Sequence, residues 1–586
     1  MKRNFWAASL SVILLLATHG AALAGGNRDP GDAAVPYSDK LAGSKSSPRA
    51  VTNPQMVAPP KTTVPMATLP GIGQAVADLS SRFSRTALAV DWAGLRAFYD
   101  AGQPPIWVTQ NGFSPLGVQI AEQLPQALQA GMKVPPEIGQ AVSNLTPPSD
   151  PTTAAATEAL LSVAFIAGAV DANSILGDND QHGVGILAAL GKAKDQAAFL
   201  QRELPGFAPF WRLYYQMPTY IGYMQSGGWP TIDDSGKLEP GQSDARIPII
   251  RQRLAITGEL ASATSDKLQF YDPLLTQAME VFQRNHGLND DGVIGKRSFE
   301  ELNVSAETRL RMILLNLRRM QEQGPTFGPH YLIANVPAQE VKIIEDGRLA
   351  FYTKAIVGRV DRKTPLLTSI ITQVKLNPDW SVPQKIAASD MLRHELESPG
   401  YFATKNVRVY DTSGTEINPT SIDWREVRRS GLFPYRLRQD AGPENALGPV
   451  KLDFKNDYAV YLHGTSAPAL FAKQDRYLSS GCVRTADPLG LTTFLLKENP
   501  AWTRDHVDQV VASGKTTYVS LPRPMPIHIT YMTAWVDETG VMQFRRDAYG
   551  YDRLPTLSGI SMPTVGTSQL SEATPPQRIE RNSGKE

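Results

Sequence analysis

Two short stretches in the C-terminal half of the chain determine how its fold and chemistry are interpreted. Residues 459–465 read AVYLHGT, and residues 479–484 read SSGCVR. The first stretch predicts a strand that ends at His463, and the second predicts a loop that carries Cys482, the single cysteine of the chain. A thiol is largely protonated at neutral pH, so a nucleophilic cysteine needs a base to generate thiolate. We therefore predict Cys482 as a nucleophile and His463 as the group that accepts and returns its proton.

The residues next to Cys482 are of types that assist a nucleophilic thiol. Gly481 lets the backbone approach a substrate, so we expect the amides from Ser480 to Cys482 to form an oxyanion hole. Arg484 places a fixed positive charge beside the thiol, which favours thiolate and offers a partner for a substrate carboxylate. These residues are predicted to bind the substrate around the nucleophile.

The surroundings of His463 are less well determined by the sequence. Tyr461 lies two positions earlier on the predicted strand and therefore faces the same side, where it either lines the site or packs in the core. No Asp or Asn has the sequence context of a third catalytic residue that would orient His463. A backbone carbonyl group could do this instead.

Residues 331–552 show the period-two alternation of a mainly β domain. The predicted strands are 331–336, 341–344, 349–357, 370–376, 450–454, 459–462, 518–521, 527–536 and 541–544. Helices are expected at 384–395 and 487–498. The segment at about 387–446 has helix and loop signals and is long for a connection inside a β domain. We predict that it forms a mobile cap over the Cys482 site.

The two ends of the chain predict export and disorder. Residues 1–24 combine a basic start, an apolar run and small residues before the end of the run, which is typical of a cleaved secretory signal peptide. An uncleaved membrane anchor is the alternative, and export is expected in both cases. Residues 25–72 are rich in Pro, Ser, Thr and Gly, and residues 553–586 have no aromatic residue. Both segments are predicted to be disordered because they cannot bury enough apolar surface.

The region between the linker and the β domain has mostly helical periodicity. Residues 73–228 carry apolar stripes separated by Pro-Pro pairs, which predicts a helical scaffold domain. Residues 306–330 begin with an amphipathic Arg- and Leu-rich segment, which predicts a connecting helix. The simplest interpretation of these apolar stripes is that they form a hydrophobic core.

Residues 229–305 predict a compact unit of three short helices. The second helix should begin at Asp272-Pro273, a capping residue followed by a proline in the first turn. The stretch from Phe282 to Gly295 reads FQRNHGLNDDGVIG, and it resembles the three-helix peptidoglycan-binding domain. This resemblance implies a module that binds peptidoglycan, although no sugar-binding residue can be selected. A packing module that has lost carbohydrate binding is the alternative.

Composition excludes several classes of function. The 586 residues include 58 Lys and Arg against 57 Asp and Glu, so no basic surplus indicates a nucleic-acid partner. One cysteine cannot form a cysteine-based zinc site, and the eight histidines show no metal-binding spacing. We therefore expect no metal or other cofactor. An unpaired cysteine is unusual in an exported protein, which is consistent with a thiol retained for chemistry.

The motif of His463 and Cys482 resembles the signature of the L,D-transpeptidases with a YkuD-like catalytic domain. Four further stretches agree with this family: VGRVDRKTP at 357–365, NPDWSVP at 377–383, GPENALG at 442–448 and YMTA at 531–534. The order of the predicted domains is similar to that of the large periplasmic members. The resemblance therefore predicts a multidomain α+β fold, with a helical scaffold, a peptidoglycan-binding-like domain and a mainly β catalytic domain with a cap insertion. One position departs from many members of the family, which have histidine where this chain has Ser480.

The resemblance also implies a reaction. Cys482 would attack the carbonyl group of the third residue of a peptidoglycan tetrapeptide stem, release the terminal D-alanine, and pass the acyl group to an amine of another stem. Carbapenem-type β-lactams would be inhibitors, and the periplasm would be the location. Two alternatives stay open. Water could be the acceptor, which would give an L,D-carboxypeptidase or a cysteine endopeptidase, or the chain could be an inactive wall-binding protein. The oligomeric state does not follow from the sequence.

Overall fold

The structure of the protein is a computed structural model. It describes residues 69–83, 90–109, 112–129, 132, 134–176, 183–204, 208–322 and 327–557, all within one compact unit. The predicted signal peptide at 1–24, the linker up to residue 68 and the tail from residue 558 lie outside the described residues. The described part has a helical N-terminal region and a large mixed sheet, which confirms the predicted fold class.

The N-terminal region is a helical domain with one small hairpin. Its elements are α1 (Ile72–Phe83), α2 (Trp92–Asp100), β1 (Val108–Thr109), β2 (Gly112–Phe113), α3 (Pro115–Gln129), α4 (Pro136–Ser143), α5 (Pro151–Leu176), α6 (Val184–Lys192), α7 (Gln196–Glu203), α8 (Ala208–Tyr214) and α9 (Met217–Gln225). Within α5, Pro151–Ala169 is long and apolar enough to cross a membrane by length and composition alone. Because 78% of this stretch is buried inside the protein, it serves here as a core helix.

Three helices follow as the sequence predicts: α10 (Ile247–Ile256), α11 (Pro273–Asn285) and α12 (Lys296–Leu302). The carboxylate of Asp272 accepts a hydrogen bond of 2.8 Å from the Leu275 amide, so it caps the second helix. Helix α13 (Ala306–Glu322) then leads to the β domain. On α13, Asn316 donates to Thr533 Oγ1 at 3.0 Å and accepts from the Thr533 amide at 2.9 Å. These bonds fix the helix against the β domain.

The β domain contains strands, short helices and turns. In chain order they are β3 (His330–Asn335), β4 (Glu340–Glu345), β5 (Arg348–Gly358), β6 (Leu367–Leu376), β7 (Trp380–Ser381), α14 (Gln384–Ile386), α15 (Leu392–Glu397), α16 (Tyr401–Thr404), β8 (Val407–Tyr410), β9 (Glu416–Ile417), α17 (Trp424–Ser430), β10 (Arg436–Gln439), β11 (Val450–Phe454), β12 (Leu462–His463), β13 (Tyr477–Ser479), β14 (Val483–Thr485), α18 (Pro488–Leu495), α19 (Arg504–Ala512), β15 (Thr517–Thr530), β16 (Ala534–Val536) and β17 (Met542–Phe544). A π-helical turn, Ala387–Met391, lies between α14 and α15.

The main sheet has nine described strands in the order β13-β5-β14-β12-β11-β6-β15-β3-β4. Strand β4 also pairs with β5, so the strands from β5 to β4 form a closed ring with β13 attached outside it. The inward-facing residues of the ring form one apolar cluster that includes Leu332, Leu376, Leu462 and Val483, none of which has exposed surface. This packed interior supports the loops that carry the predicted site.

The strand before His463 is shorter than the sequence predicts. The predicted run at 459–462 is a strand only at Leu462–His463. Ala459 has a positive φ of 53°, which an extended strand does not allow. The chain therefore turns before Tyr461 and becomes regular only at the end of the predicted run.

At the predicted runs 518–521 and 527–536, the observed strand is longer than the sequence predicts. They join as the single long strand β15, and the last residues separate as β16. The register of β15 shifts between Ser520 and Met525, where prolines cannot donate ladder hydrogen bonds. The prolines thus interrupt the pairing without ending the strand.

Outside the predicted insertion, one described helix of the β domain was not predicted. Helix α19 lies beyond the predicted helix at 487–498, and Thr503 caps it by accepting from the His506 amide at 3.3 Å. The signal was present as a Thr cap followed by an apolar stripe. Its valines, however, favour strands, so the composition hid the helical period.

The predicted insertion at 387–446 is more regular than expected and begins earlier. It contains a four-stranded sheet in the order β7-β10-β8-β9, so the prediction of helix and loop alone was wrong. Helices and strands of this segment share a separate apolar cluster that includes Phe402, Val409 and Trp424. We call residues 380–440 the cap. Because it has its own core, it is a folded subdomain and not a loop.

At both ends, the structure describes residues that were predicted to belong to disordered segments. Helix α1 begins at Ile72, the last residue of the predicted linker. Leu554 and Leu557 pack against the large apolar cluster of the helical domain, and Arg311 donates to the Pro555 carbonyl at 2.7 Å. The prediction of disorder was therefore wrong for residues 553–557.

The cap enters and leaves the β domain at one junction held by a buried asparagine. Asn445 is 1% exposed, and its side-chain amide donates to the carbonyls of Pro378 at 3.0 Å and Asp440 at 2.9 Å. Its carbonyl oxygen accepts from the Leu447 amide at 2.8 Å. The two chain segments that bound the cap are thus joined through one side chain.

We predict that Asn445→Ala lowers the free energy of unfolding by about 2 to 4 kcal/mol, because it leaves buried backbone groups without partners. Chemical denaturation followed by tryptophan fluorescence measures this change. Asn418→Ala is the matched control, since Asn418 is exposed and caps a short turn. An Asn445→Ala protein as stable as the parent would show that this amide does not hold the junction.

Candidate active site

The site is built on the pairing of two short parallel strands. In β12 and β14, Leu462 lies opposite Val483 and His463 lies opposite Arg484. Leu462 and Val483 point into the apolar interior, so residues at the alternate positions share the other face. These residues are Tyr461, His463, Cys482 and Arg484. The structure thus places the four predicted side chains of this motif side by side.

The turn before Cys482 is held from within by Ser479. The hydroxyl of Ser479 donates to the Cys482 carbonyl at 2.6 Å and accepts from the Gly481 amide at 3.1 Å. Gly481 has a φ of +119°, a conformation that favours glycine. Because the Gly481 amide is already bonded to Ser479, an oxyanion hole in this turn would depend on the amides of Ser480 and Cys482.

Burial keeps Cys482 in its thiol form in the resting protein. The side chain is half-buried, and desolvation raises the pKa of the thiol above its ordinary value. The Tyr461 amide and hydroxyl and the positive charges of Arg484 and Lys451 act in the opposite direction. Arg484 therefore favours thiolate as predicted, but the effect of burial is larger.

His463 is held in its neutral form by the same environment. It is 5% exposed, and burial lowers the pKa of its imidazole to about 3, assisted by the charge of Arg484. The carbonyl groups of Gly464 and Leu447 oppose this shift. Nδ1 is buried and makes no hydrogen bond of good geometry within the described part of the chain. The resting protein thus holds a neutral thiol and a neutral imidazole.

Tyr461 connects the thiol to the cap. Its hydroxyl accepts a hydrogen bond of 3.0 Å from Trp380 Nε1 and itself stabilises the thiolate of Cys482. Its ring lies 5.4 Å from that of His463, and the Lys451 ammonium lies 4.2 Å from the ring centre. Burial raises the pKa of Tyr461, so it stays a phenol that can donate. Of the two interpretations of Tyr461, the structure places it in the lining of the site.

Arg484 lies beside this cluster with unused hydrogen-bonding capacity. Burial lowers the pKa of its guanidinium, which the nearby Cys482 and Tyr461 partly offset. Its Nε is buried and has no hydrogen-bond partner among the described residues. A planar cation with a free donor is suited to a carboxylate of a bound substrate.

Ser480 and three neighbouring residues complete the site, and no role was predicted for the three neighbours. The hydroxyl of Ser480 accepts a hydrogen bond of 3.0 Å from Arg362 Nη1. Arg362 and Trp380 both lie in the stretches that carry the family resemblance, which was the available signal. Lys451 lies opposite His463 through the pairing of β11 with β12, and that register could not be obtained from the sequence.

Comparison with known proteins confirms the family resemblance. Residues 329–511 match the family described as YkuD, the L,D-transpeptidase catalytic domain. A curated protein of Haemophilus influenzae, named "Putative L,D-transpeptidase", is 36% identical over 234 residues, which cover 40% of this chain and 47% of that protein. The matched part of the chain thus spans about half the length of this curated relative.

Solved structures were also found by comparison. The L,D-transpeptidase (residues 123–326) from Xylanimonas cellulosilytica has 13% sequence identity and a TM-score of 0.17, and the match covers 51% of this chain and 99% of that one. L,D-transpeptidase 1 of Mycobacterium tuberculosis has 12% identity and a TM-score of 0.14, with 35% and 63% of the two chains covered.

The raised pKa of Cys482 predicts how its alkylation depends on pH. A raised pKa leaves the thiol protonated through neutral pH, so the rate with iodoacetamide should increase about tenfold per pH unit between about pH 6 and 8. Mass spectrometry of the intact protein measures this rate, and the unfolded chain, with a thiol pKa of about 8.5, is the control, because its rate should level off above about pH 9 whereas the rate of the folded protein should continue to rise. A rate that is constant above about pH 6 would instead indicate a preformed thiolate–imidazolium pair.

Proposed function

We propose that this protein is an exported L,D-transpeptidase that forms peptidoglycan cross-links through an acyl-enzyme on Cys482. The observation that carries the proposal is the single face shared by Tyr461, His463, Cys482 and Arg484. This arrangement lies in the part of the chain that matches the L,D-transpeptidase catalytic domain. The substrate is a tetrapeptide stem, and the leaving group is its terminal D-alanine.

The first half of the reaction forms a thioester. Cys482 Sγ attacks the carbonyl carbon of the third stem residue, and the thiol proton passes to the neutral imidazole of His463. The bond between that carbonyl and the nitrogen of D-alanine then breaks. The leaving nitrogen takes the proton from His463, so the imidazole is neutral again and D-alanine departs as an amine.

The second half transfers the acyl group. An amine of a neighbouring stem attacks the thioester, and His463 accepts a proton from the attacking nitrogen. The carbon–sulfur bond breaks, and the sulfur recovers its proton from His463. The products are a cross-linked dimer and the resting enzyme, with no net change in the protonation of the pair.

The buried environment determines at which step of the reaction the sulfur and the imidazole become charged. Tyr461, Arg484 and Lys451 all stabilise negative charge on sulfur, whereas burial and two cations destabilise an imidazolium. A long-lived ion pair of His463 and Cys482 is therefore disfavoured. The proton moves when the attacked carbonyl group begins to develop charge, which couples proton transfer to bond formation.

The acceptor of the acyl group decides between this proposal and its main alternative. If water resolves the thioester, the protein is an L,D-carboxypeptidase or an endopeptidase with the same nucleophile. The side chains around Cys482 serve both reactions equally. We propose transfer to an amine because of the family match, and the identity of the product distinguishes the two.

The three-helix unit offers a separate surface for the glycan part of the wall. A groove of about 790 Å³ on this unit is lined by both charged and apolar side chains, including Arg251, Asp266, Leu274 and Gln277. Such a mixture of hydrogen-bonding and apolar contacts suits a sugar chain. We propose that this unit holds the protein on peptidoglycan, and that the export predicted from residues 1–24 delivers it to the periplasm.

We predict that Cys482→Ala abolishes formation of both the acyl-enzyme and the dimer while the protein stays folded. His463→Ala should lower the acylation rate by about 10² to 10⁴, the usual effect of losing a general base. The measurement is mass analysis of purified protein incubated with disaccharide tetrapeptide. A folded Cys482→Ala protein with full activity contradicts the mechanism. A cleaved stem without a dimer supports hydrolysis in place of cross-linking.

Carbapenems provide an independent test of the nucleophile. The strained lactam carbonyl should acylate Cys482, and the ring-opened thioester should persist if water is excluded. We predict one adduct per chain, absent in Cys482→Ala and formed slowly in His463→Ala. The single cysteine allows intact-mass spectrometry to assign the adduct. An adduct that persists in Cys482→Ala would show that the lactam reacts elsewhere.

A further inference from the structure

Apart from the chain junction, where Asp379 and residues 444–446 contact the cap, the cap has two hydrogen-bonded contacts with the body of the β domain, and both are next to Cys482. Within residues 327–557, one is the bond from Trp380 to Tyr461, whose hydroxyl faces the thiol. The other is made by Arg362 of the body with the π-helical turn Ala387–Met391 of the cap. The cap is therefore connected to the two sides of the catalytic cysteine.

Arg362 bridges the cap and the catalytic turn with one guanidinium group. Its Nη1 and Nη2 donate to the two carboxylate oxygens of Asp390, the second at 3.0 Å. Nη1 also donates to Ser480 Oγ at 3.0 Å, and Nη2 lies 3.4 Å from Ser389 Oγ. Arg362 is 19% exposed and Asp390 is 22% exposed, so the ion pair is largely removed from water. A two-point pair of this kind fixes the plane of the guanidinium.

The body side of this bridge is rigid. The Gly358 amide donates to Thr364 Oγ1 at 2.8 Å, and the Tyr549 hydroxyl donates to the Gly358 carbonyl at 2.6 Å. A Cβ atom at Gly358 would lie 2.3 Å from the Arg362 carbonyl oxygen, so the loop is folded tightly on itself. The backbone of Arg362 is thus held by the main sheet and does not depend on the cap.

The other side of the bridge belongs to the cap. Asp390 lies in a π-helical turn, an irregularity that is frequent at functional sites, and its neighbours Ala387 and Met391 are buried in the core of the cap. The position of the Asp390 carboxylate is therefore determined by the cap. Any movement of the cap about its junction at Asn445 would move this carboxylate relative to Arg362.

We propose that Arg362 is a positioning residue that makes the reactive geometry of the Cys482 turn depend on the docked cap. Asp390 orients the guanidinium, the guanidinium holds Ser480, and Ser480 begins the turn that presents Gly481 and Cys482. When the cap is undocked, the guanidinium loses its carboxylate and the outer side of the turn loses its support. The proposal rests on the proposed function, since it assigns a role within acylation by Cys482.

This arrangement gives the Ser480 side chain a role in the docked state. The small hydroxyl of Ser480 accepts one hydrogen bond from Arg362 and thereby connects the turn to the cap. The consequence for catalysis is a dependence on substrate fit. A substrate that allows the cap to dock meets an aligned thiol, whereas one that holds the cap away meets a turn that is free to shift, and a displacement of about 1 Å can slow a reaction about 100-fold.

The test is a double-mutant cycle between Asp390 and Ser480, measured with and without Arg362. The readouts are the rate of carbapenem acylation by intact mass, kcat and KM for dimer formation, and thermal stability. Arg362→Ala should lower the acylation rate about 10- to 100-fold while KM changes less than about threefold. Asp390→Asn and Ser480→Ala should each slow acylation, and together they should be about as slow as the slower single variant.

Further variants test whether Arg362 carries the coupling between Asp390 and Ser480. In Arg362→Ala protein, neither Asp390→Asn nor Ser480→Ala should slow acylation further. Arg362→Lys should stay slow, because an ammonium keeps the charge but lacks the fork that joins two partners. Arg393→Gln is the matched control, since Arg393 is an exposed arginine of the cap that pairs with Glu397, and it should react at the parental rate.

The outcomes separate the two proposals. If the parent protein reacts but the effects of Asp390→Asn and Ser480→Ala multiply, Arg362 does not couple the cap to the turn. Full activity of Arg362→Lys would likewise overturn the proposal, because charge alone would then suffice. If the parent forms neither adduct nor dimer, the proposed function fails and the role of Arg362 fails with it.

Discussion

The pairing of two short parallel strands, β12 with β14, is the constraint on which the candidate active site depends. A register shift of one residue in either strand would turn its buried residue, Leu462 or Val483, outward and would bury His463 or Cys482 in the apolar interior. The fully buried Leu462 and Val483 make such a shift costly, since each would lose its apolar environment. Core packing on one face of these strands therefore fixes the chemistry on the other.

Burial of Cys482 and His463 explains why several groups are needed to stabilise a thiolate at this site. Desolvation favours the neutral forms of both Cys482 and His463, so the pair is not ionised in advance. Arg484, Lys451 and the Tyr461 hydroxyl lower the cost of a thiolate without creating one. In the proposed mechanism, His463 and Cys482 therefore stay neutral until a carbonyl group is bound.

Much of the site could be predicted because its chemistry is concentrated in two short motifs. His463, Cys482 and the supporting residues Gly481 and Arg484 were predicted from residue type and spacing, and their placement follows from one strand pairing. The roles of Trp380 and Arg362 could not be predicted, because they depend on how the cap docks. The dominance of burial in the pKa of Cys482 was also hidden, since the sequence shows charges near a thiol but not the depth at which it lies.

Burial of the thiol also reconciles a reactive cysteine with the proposed export. In an oxidising compartment an exposed thiolate would be oxidised or joined to another thiol, because both reactions proceed through the ionised form. A raised pKa keeps the Cys482 sulfur protonated. A site that ionises its nucleophile only with substrate in place can therefore retain a lone cysteine where most exported proteins pair theirs.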